Sequence, residues 1–346
     1  MTNHKSLKAD SFGDARVQNL GIAITGSGSA VPATLLDNQA LTEVVETSDE
    51  WITTRTGIRQ RRLAKASETI TELATAASEQ AIAMAGISPQ DLDLIVLATS
   101  SPDDLFGSAC HIQAQLGATK AVAFDITAAC SGFVFGLVTA AQYIRTGVYQ
   151  NVLLVGADFL SRWVDWQDRG TCVLFGDGAG AVVIQANQKD YLLGFELRSD
   201  GTQNNCLNLA YATQPTQLTQ EVNVGKGNFQ PITMNGKEVY RFAVQKVPEV
   251  IDKALFRANL SVDQIDWLLL HQANQRILDA VAQRLNIPEH KVISNLANYG
   301  NTSAASIPLA LDEAVRQGKI KTGDTIVTSG FGAGLTWGAA IFQWGR

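Results

Sequence analysis

The chain has 346 residues but only 4 cysteines, 4 histidines and 8 prolines. No two of Cys110, Cys130, Cys172 and Cys206 are spaced C-x-x-C, and His4, His111, His271 and His290 complete no zinc pattern. Neither a disulfide-stapled miniprotein nor a structural metal site is expected. No apolar run reaches the roughly 20 residues that a bilayer-spanning helix needs. Segment 1–18 carries Lys5, Lys8, Asp10, Asp14 and Arg16 and lacks the apolar core of a signal peptide. Charged residues make up only 17% of the chain and the net charge is −6, so the broad basic field that nucleic acid requires is missing. These absences predict a cytoplasmic chain with reduced thiols, no nucleic-acid partner and no membrane anchor.

What is present is apolar. Hydrophobic residues are 46% of the chain and glycine contributes 29 residues. That excludes a mainly disordered chain, and the length suits about two domains or lobes with a sizeable core.

The sequence repeats itself weakly. GISPQDLDLIVLA (86–98) parallels NLSVDQIDWLLLH (259–271), with Ser88 and Ser261 spaced 173 residues apart. Asn151–Ala157 and Asp324–Gly330 stand in the same register. Helical spacing of apolar residues covers Glu68–Ala85 and Glu238–Ala258 before the two copies, and Ser131–Arg145 and Ala304–Gly318 after them. Further strands are expected at Thr171–Gln185 and Leu335–Trp344. Alternating helices and apolar strands predict an α/β protein of two similar halves, 1–185 and 186–346, related by a pseudo-twofold axis. A site is expected where the halves meet.

Three residues stand at the edges of these elements. Cys130 lies at a strand-to-helix turn, where a helix N-terminus stabilises a thiolate; read alone, it is equally a buried inert cysteine. His271 ends the strand of the second copy, where α/β folds carry their chemistry, against the commoner structural role of a single histidine. The first copy has Ala98 at that position. Asn301 precedes a helix, where asparagine ordinarily caps. The symmetry pairs it with Ala128 and brings it near Cys130. Cys110 and Cys172 read as core; Cys206 has no evident partner. Gly330-Phe331-Gly332-Ala333-Gly334 offers close packing or backbone N–H groups for an oxyanion. Gly176-Asp177-Gly178 reads as a turn into a strand. Trp51 with Arg55, Arg59, Arg61 and Arg62 forms a cationic and aromatic cluster. It is either a solvated surface or a site for a phosphate-bearing base.

Six ordered segments carry a family resemblance: TSDEWITTRTGIRQRR (47–62), FDITAACSGF (124–133), DRGTCVLFGDGAGA (168–181), LLHQANQRI (269–277), NYGNTSAASIPLAL (298–311) and FGAGLTWG (331–338). Together they resemble β-ketoacyl-acyl-carrier-protein synthase III, the initiating condensing enzyme of type II fatty acid synthesis. The resemblance implies a thiolase-like fold, two duplicated α/β halves in five α-β-α-β-α layers, as a homodimer. It implies a Cys130, His271 and Asn301 triad, where elongating synthases have a second histidine and thiolases a second cysteine. It implies an oxyanion hole from the Cys130 and Ala333 N–H groups. It sets Trp51 and Arg169 on either side of a CoA adenine, Thr47 and Arg55 near the CoA phosphates and Asn274 near the pantetheine. Arg241 and Arg276 would dock acyl carrier protein, with Lys246 and Arg284 as further members of a basic rim. The implied reaction condenses acetyl-CoA with malonyl-carrier protein and needs no cofactor. Two positions depart from the family: Lys237 stands where it often has asparagine, and Ala333 stands inside its triple-glycine loop. Other readings are a condensing enzyme with a branched, longer or polyketide primer, a thioester hydrolase, or a non-catalytic acyl-CoA-binding scaffold.

Overall fold

The structure, a computed structural model, describes residues 20–345. His4 and the segment 1–18 read above lie outside them. In chain order the strands are β1 (Gly21–Ala30), β2 (Leu35–Asp37), β3 (Gln60–Arg62), β4 (Leu94–Ala98), β5 (Val122–Ile126), β6 (Asn151–Phe159), β7 (Asp177–Asn187), β8 (Leu192–Ser199), β9 (Leu207–Asn208), β10 (Tyr211–Gln217), β11 (Asn223–Phe229), β12 (Thr233–Met234), β13 (Trp267–Leu270), β14 (Thr325–Gly332) and β15 (Thr336–Gln343). The helices are α1 (Asn38–Leu41), α2 (Asp49–Thr56), α3 (Ile70–Ala85), α4 (Ala109–Leu116), α5 (Gly132–Arg145), α6 (Gly236–Ala258), α7 (Gln275–Arg284), α8 (Leu296–Tyr299) and α9 (Ser306–Arg316).

Local chemistry sets the ends of these elements. Thr69 and Glu72 form a capping box at the start of α3, and Gly86 closes it in the left-handed conformation. Asn235 caps α6, which ends on left-handed Asn259. Strand β4 is Leu-Ile-Val-Leu-Ala, every residue buried. Its side chains alternate between two cores. Leu94 and Val96 pack inward against α5, while Ile95 and Leu97 pack outward against α3 and α4. Burying each such aliphatic side chain contributes about 1.5–3 kcal/mol.

The main sheets share one plan. The first runs β1-β7-β6-β4-β5 and the second β8-β15-β14-β13. In each, the inner pair is parallel (β4 with β6, β13 with β14) and the next two pairings are antiparallel. A single parallel bridge, Leu268 to Val292, stands where β5 stands in the first sheet. Helices α5 and α9 lie between the sheets and share one core with both. Helices α3 and α4 cover the outer face of the first sheet, and α6 and α7 that of the second. This is the layered, duplicated α/β fold expected from the repeat.

Five expectations change. Segment 171–176 is not strand but a turn against the site, because β7 begins only at Asp177. The hairpin β10–β11 was not anticipated, since its largely exposed strands carry no buried face to pattern the sequence. Cys110 is exposed rather than core, lying on the outward side of α4. Arg61 leaves the surface cluster: it is fully buried and donates to the Val173 carbonyl, the Leu36 carbonyl and Asn38 Oδ1. Finally, the turns before α5 and α9 are related by 174 residues. Left-handed Ala129 (φ 46°) corresponds to left-handed Ser303 (φ 51°), so Asn301 pairs with Thr127 rather than Ala128.

Candidate active site

The two central helices begin where the halves meet. Turn Ala129–Ser131 leads into α5 and turn Ser303–Ala305 into α9. Each is admitted by a glycine on the opposite half. A Cβ on Gly156 would lie 2.2 Å from the Ala304 carbonyl oxygen, and one on Gly330 3.1 Å from the Cys130 carbonyl oxygen. Strand β6 of the first half therefore grips the second half's turn, and β14 grips the first half's.

Cys130, His271 and Asn301 line one cleft of about 230 Å3. All three are almost fully buried, with 6%, 1% and 7% of their surface exposed. Burial pushes the Cys130 thiol up to about 12; the neighbouring Ser303 hydroxyl opposes the rise and the Asp158 carboxylate adds to it. Cys130 thus rests as a neutral thiol, burial outweighing the helix N-terminus that would stabilise a thiolate. Burial lowers His271 to about 3, so the ring is neutral as well. Its Nδ1 lies 2.7 Å from the Ser306 hydroxyl, and its ring meets Phe331 edge to face. Asn301 is held through its backbone, donating to the Leu174 carbonyl and accepting from Gly176 N–H. Its Oδ1 accepts from Ser303 N–H at 2.9 Å, which leaves Nδ2 to face the cleft as a donor.

The oxyanion candidates are braced by Thr336. Its hydroxyl is shared between the Ala128 and Ala333 carbonyls, 3.1 Å from each, and meets Ser131 Oγ at 2.8 Å. Gly332 presses on the Cys130 turn so closely that a Cβ would lie 2.6 Å from Cys130 N. The departure at Ala333 is harmless to the backbone: the glycine-dependent angle belongs to Gly334, at φ 128°, and Ala333 has none.

The outer end of the cleft is cationic and aromatic. Arg55 and Arg169 lie over the Trp51 ring at 4.6 and 4.7 Å. A ring sandwiched between Trp51 and Arg169 needs about 7 Å, two contacts of roughly 3.5 Å each. The slot expected between them is therefore closed in this conformation. Arg169 also donates to the Glu46 carbonyl. Asn274 caps α7 and donates from Nδ2 to the Arg55 carbonyl, tying α7 to α2. Thr47 sits beside Glu46 and does not line the cleft. Arg276 is exposed beside Tyr240, Arg241 pairs with Glu238, Lys246 pairs with Glu249, and Lys237 is exposed. Cys130 also opens onto a mostly apolar cavity of about 740 Å3, walled in part by Leu160, Trp163, Phe175 and Phe229.

Three site residues were missed in the sequence: Asp158, Ser303 and Ser306. Asp158 is fully buried at the end of β6, where burial raises its carboxyl. It accepts from Ser100 N–H at 2.7 Å, Ser101 Oγ at 2.8 Å and Ala304 N–H at 3.2 Å. It thus spans both halves. A strand end was the signal that found His271, and the same signal marks Asp158. Ser303 and Ser306 lie inside a segment already singled out, where only Asn301 was weighed.

Duplicated halves, helix-start turns at the seam and a buried cysteine in one of them define a thiolase-like condensing enzyme. The comparisons narrow this. Family models for 3-oxoacyl-(acyl-carrier-protein) synthase III match residues 124–201, and for its C-terminal part residues 255–344. A β-ketoacyl-(acyl-carrier-protein) synthase III of Trichormus variabilis is 77% identical over 330 residues, 95% of this chain and 100% of that protein. The crystal structure of 3-oxoacyl-(acyl-carrier-protein) synthase III from Aquifex aeolicus is 45% identical with a TM-score of 0.86, covering 93% of this chain and all of that one. A priming β-ketosynthase from the R1128 polyketide pathway is 35% identical with a TM-score of 0.87, covering 95% and 98%. The chain belongs to the 3-oxoacyl-(acyl-carrier-protein) synthase III family and is an acyltransferase of the condensing type.

Proposed function

We propose that this enzyme condenses acetyl-CoA with malonyl-acyl-carrier protein, giving acetoacetyl-carrier protein, CO2 and CoA, and so initiates fatty acid synthesis. The observation that carries the reading is the single cleft running from Trp51, Arg55 and Arg169 down to Cys130, His271 and Asn301. Its outer end suits a nucleotide and its inner end a thioester. Arg169 must swing off Trp51 for an adenine to enter between them.

Cys130 Sγ attacks the acetyl carbonyl, and its proton passes to the CoA sulfur that departs. The Cys130 and Ala333 N–H groups hold the tetrahedral oxyanion, and the CoA sulfur leaves with a proton. Malonyl-carrier protein follows down the same cleft. Its thioester carbonyl accepts from His271 and from Asn301 Nδ2. Those donors stabilise the enolate that forms as the carboxylate bond breaks and CO2 departs. The carbanion attacks acetyl-Cys130, and the Cys130 thiolate is the leaving group.

In this reading the labour divides between the halves, 1–185 supplying Cys130 and 186–346 supplying His271 and Asn301. Arg276, with Arg241, Lys246 and Arg284 around it, faces the acidic carrier protein. The reading includes a cytoplasmic homodimer. Cys130 must stay a free thiol, which suits a reducing compartment, and all four cysteines are unpaired. Strand β5 is the outer strand of its sheet, and Leu105 and Phe106 project beside it, Phe106 fully exposed. An open edge with an apolar neighbour favours pairing with a second copy about a twofold axis.

The test is radiolabelled acetyl-CoA with and without malonyl-carrier protein, using wild type and Cys130→Ser. Label should load onto the wild-type protein only and chase into acetoacetyl-carrier protein. Label that never loads, or that leaves as free acetate whatever the malonyl supply, would overturn the reading.

A further inference from the structure

Resting on that reading, we infer that Ser306 is a positioning residue that fixes the tautomer of His271, by donating its hydroxyl hydrogen to Nδ1 and leaving the ring proton on Nε2. Ser306 Oγ has one hydrogen to give. It accepts from Gln272 N–H at 3.3 Å and lies 2.7 Å from His271 Nδ1. Other helical hydroxyls in the chain give their hydrogen either to a side chain, as buried Thr71 does to Asp103 and Thr75 to Gln115, or to the carbonyl four residues back. Thr56 does so to Ile52 at 2.7 Å, Ser78 to Ala74 at 2.6 Å and Thr139 to Phe135 at 2.8 Å. Ser306 makes no such bond; the Thr302 carbonyl accepts Ala305 N–H instead. Nδ1 is the acceptor left for it. A neutral imidazole carries one N–H, so that hydrogen sits on Nε2.

The consequence reaches the chemistry. Asn301 Oδ1 is turned to Ser303 N–H, so Asn301 too faces the cleft with its Nδ2 donor. Both groups can hold the malonyl thioester carbonyl as negative charge builds on it. Neither offers a lone pair to a water molecule, so neither serves as a general base toward acyl-Cys130. One serine thereby separates condensation from hydrolysis. Among the described residues the first half does not repeat the arrangement. The positions related to His271 and Ser306 in the first half are Ala98 and Gly132, where a Cβ added to Gly132 would come 3.1 Å from the Ala98 Cβ.

The direct measurement is nitrogen NMR of the wild-type protein with labelled histidine, with His271 assigned by its loss in His271→Asn. One histidine should show a protonated Nε2 and a bare Nδ1, unchanged between pH 5 and 8. A protonated Nδ1 there overturns the proposal. Ser306→Ala should lower condensation at least about tenfold, since a triad histidine in the wrong tautomer loses up to ~10^4 in kcat. It should also shorten the life of the acetyl-enzyme in water, while Ser306→Thr, which keeps the hydroxyl, restores both. A Ser306→Ala enzyme with wild-type condensation and wild-type acetyl-enzyme lifetime overturns the proposal; if that variant does not fold, the wild-type spectrum still decides. Failure of the wild-type protein to load acetyl from acetyl-CoA would instead remove the condensation reading itself.

Discussion

Raising the Cys130 thiol from 9.0 to about 12 disfavours the thiolate by about 4 kcal/mol. A helix N-terminus returns ~0.3–1 kcal/mol, and about 2 at best. Burial wins, so the thiol rests neutral. Asp158 contributes to the rise through its charge. Removing that charge in Asp158→Asn should make the thiolate easier to form. The pH profile of Cys130 alkylation by iodoacetamide should then move to lower pH, with a several-fold faster reaction at pH 8. A profile that stays in place or moves to higher pH would show that the carboxylate does not act on the thiol. At this scale the sequence was partly legible. Cys130, His271 and Asn301 stood out because each sits at the end of an element. Ser303 and Ser306 did not, and Asp158 was passed over despite its strand end, because their roles depend on partners on other elements, at least 34 residues away.

Strands β6 and β14 show what an element contributes beyond its own stability. Their glycines are spaces cut for the opposite half's turn, not flexible points. Gly156→Ala forces a Cβ to within 2.2 Å of the Ala304 carbonyl oxygen, so backbone must move. The expected loss is ~1–3 kcal/mol or more, read as a Tm several degrees lower, with slowed acyl transfer because the same turn carries Ser303 and leads from Asn301. Gly201→Ala is the control. It has open space around it and should stay within about 0.5 kcal/mol of wild type. Equal melting temperatures for the two variants would mean that the seam can relax. Helices α3 and α6 were legible because each buries one periodic face, and α5 and α9 because their apolar runs are buried nearly all round. The hairpin β10–β11 and the turn 171–176 were not, since neither buries a regular face and hydrophobic spacing records only burial.

At the scale of the whole molecule, enclosing a histidine between two halves couples folding to pH. His271 falls from 6.5 to about 3 through burial. Below pH 6.5 the unfolded chain takes up a proton that the native ring refuses. The stability is therefore complete above 6.5 and is lost as pH falls towards 3, by up to about 5 kcal/mol. The neutral variant His271→Asn should carry its acid-unfolding midpoint, followed by circular dichroism, to lower pH than wild type. The raised carboxyl of Asp158 works in the opposite direction and is common to both proteins. Coincident acid transitions would show that His271 is not buried in its neutral form.

Apolar spacing, capping residues and a repeat in register were enough to establish the elements, their order and the duplication, because each rests on contacts between neighbours in the chain or on one buried face. Placing Asn301 near Cys130 needed only the assumption of symmetry. What the tertiary structure alone decided is the state of those groups. A thiol held neutral, an imidazole with its proton directed by Ser306, and a guanidinium, Arg61, buried against the Leu36 and Val173 carbonyls are products of desolvation and of partners brought from distant segments. No linear pattern encodes those energies, since the same residues in water would titrate at their ordinary values.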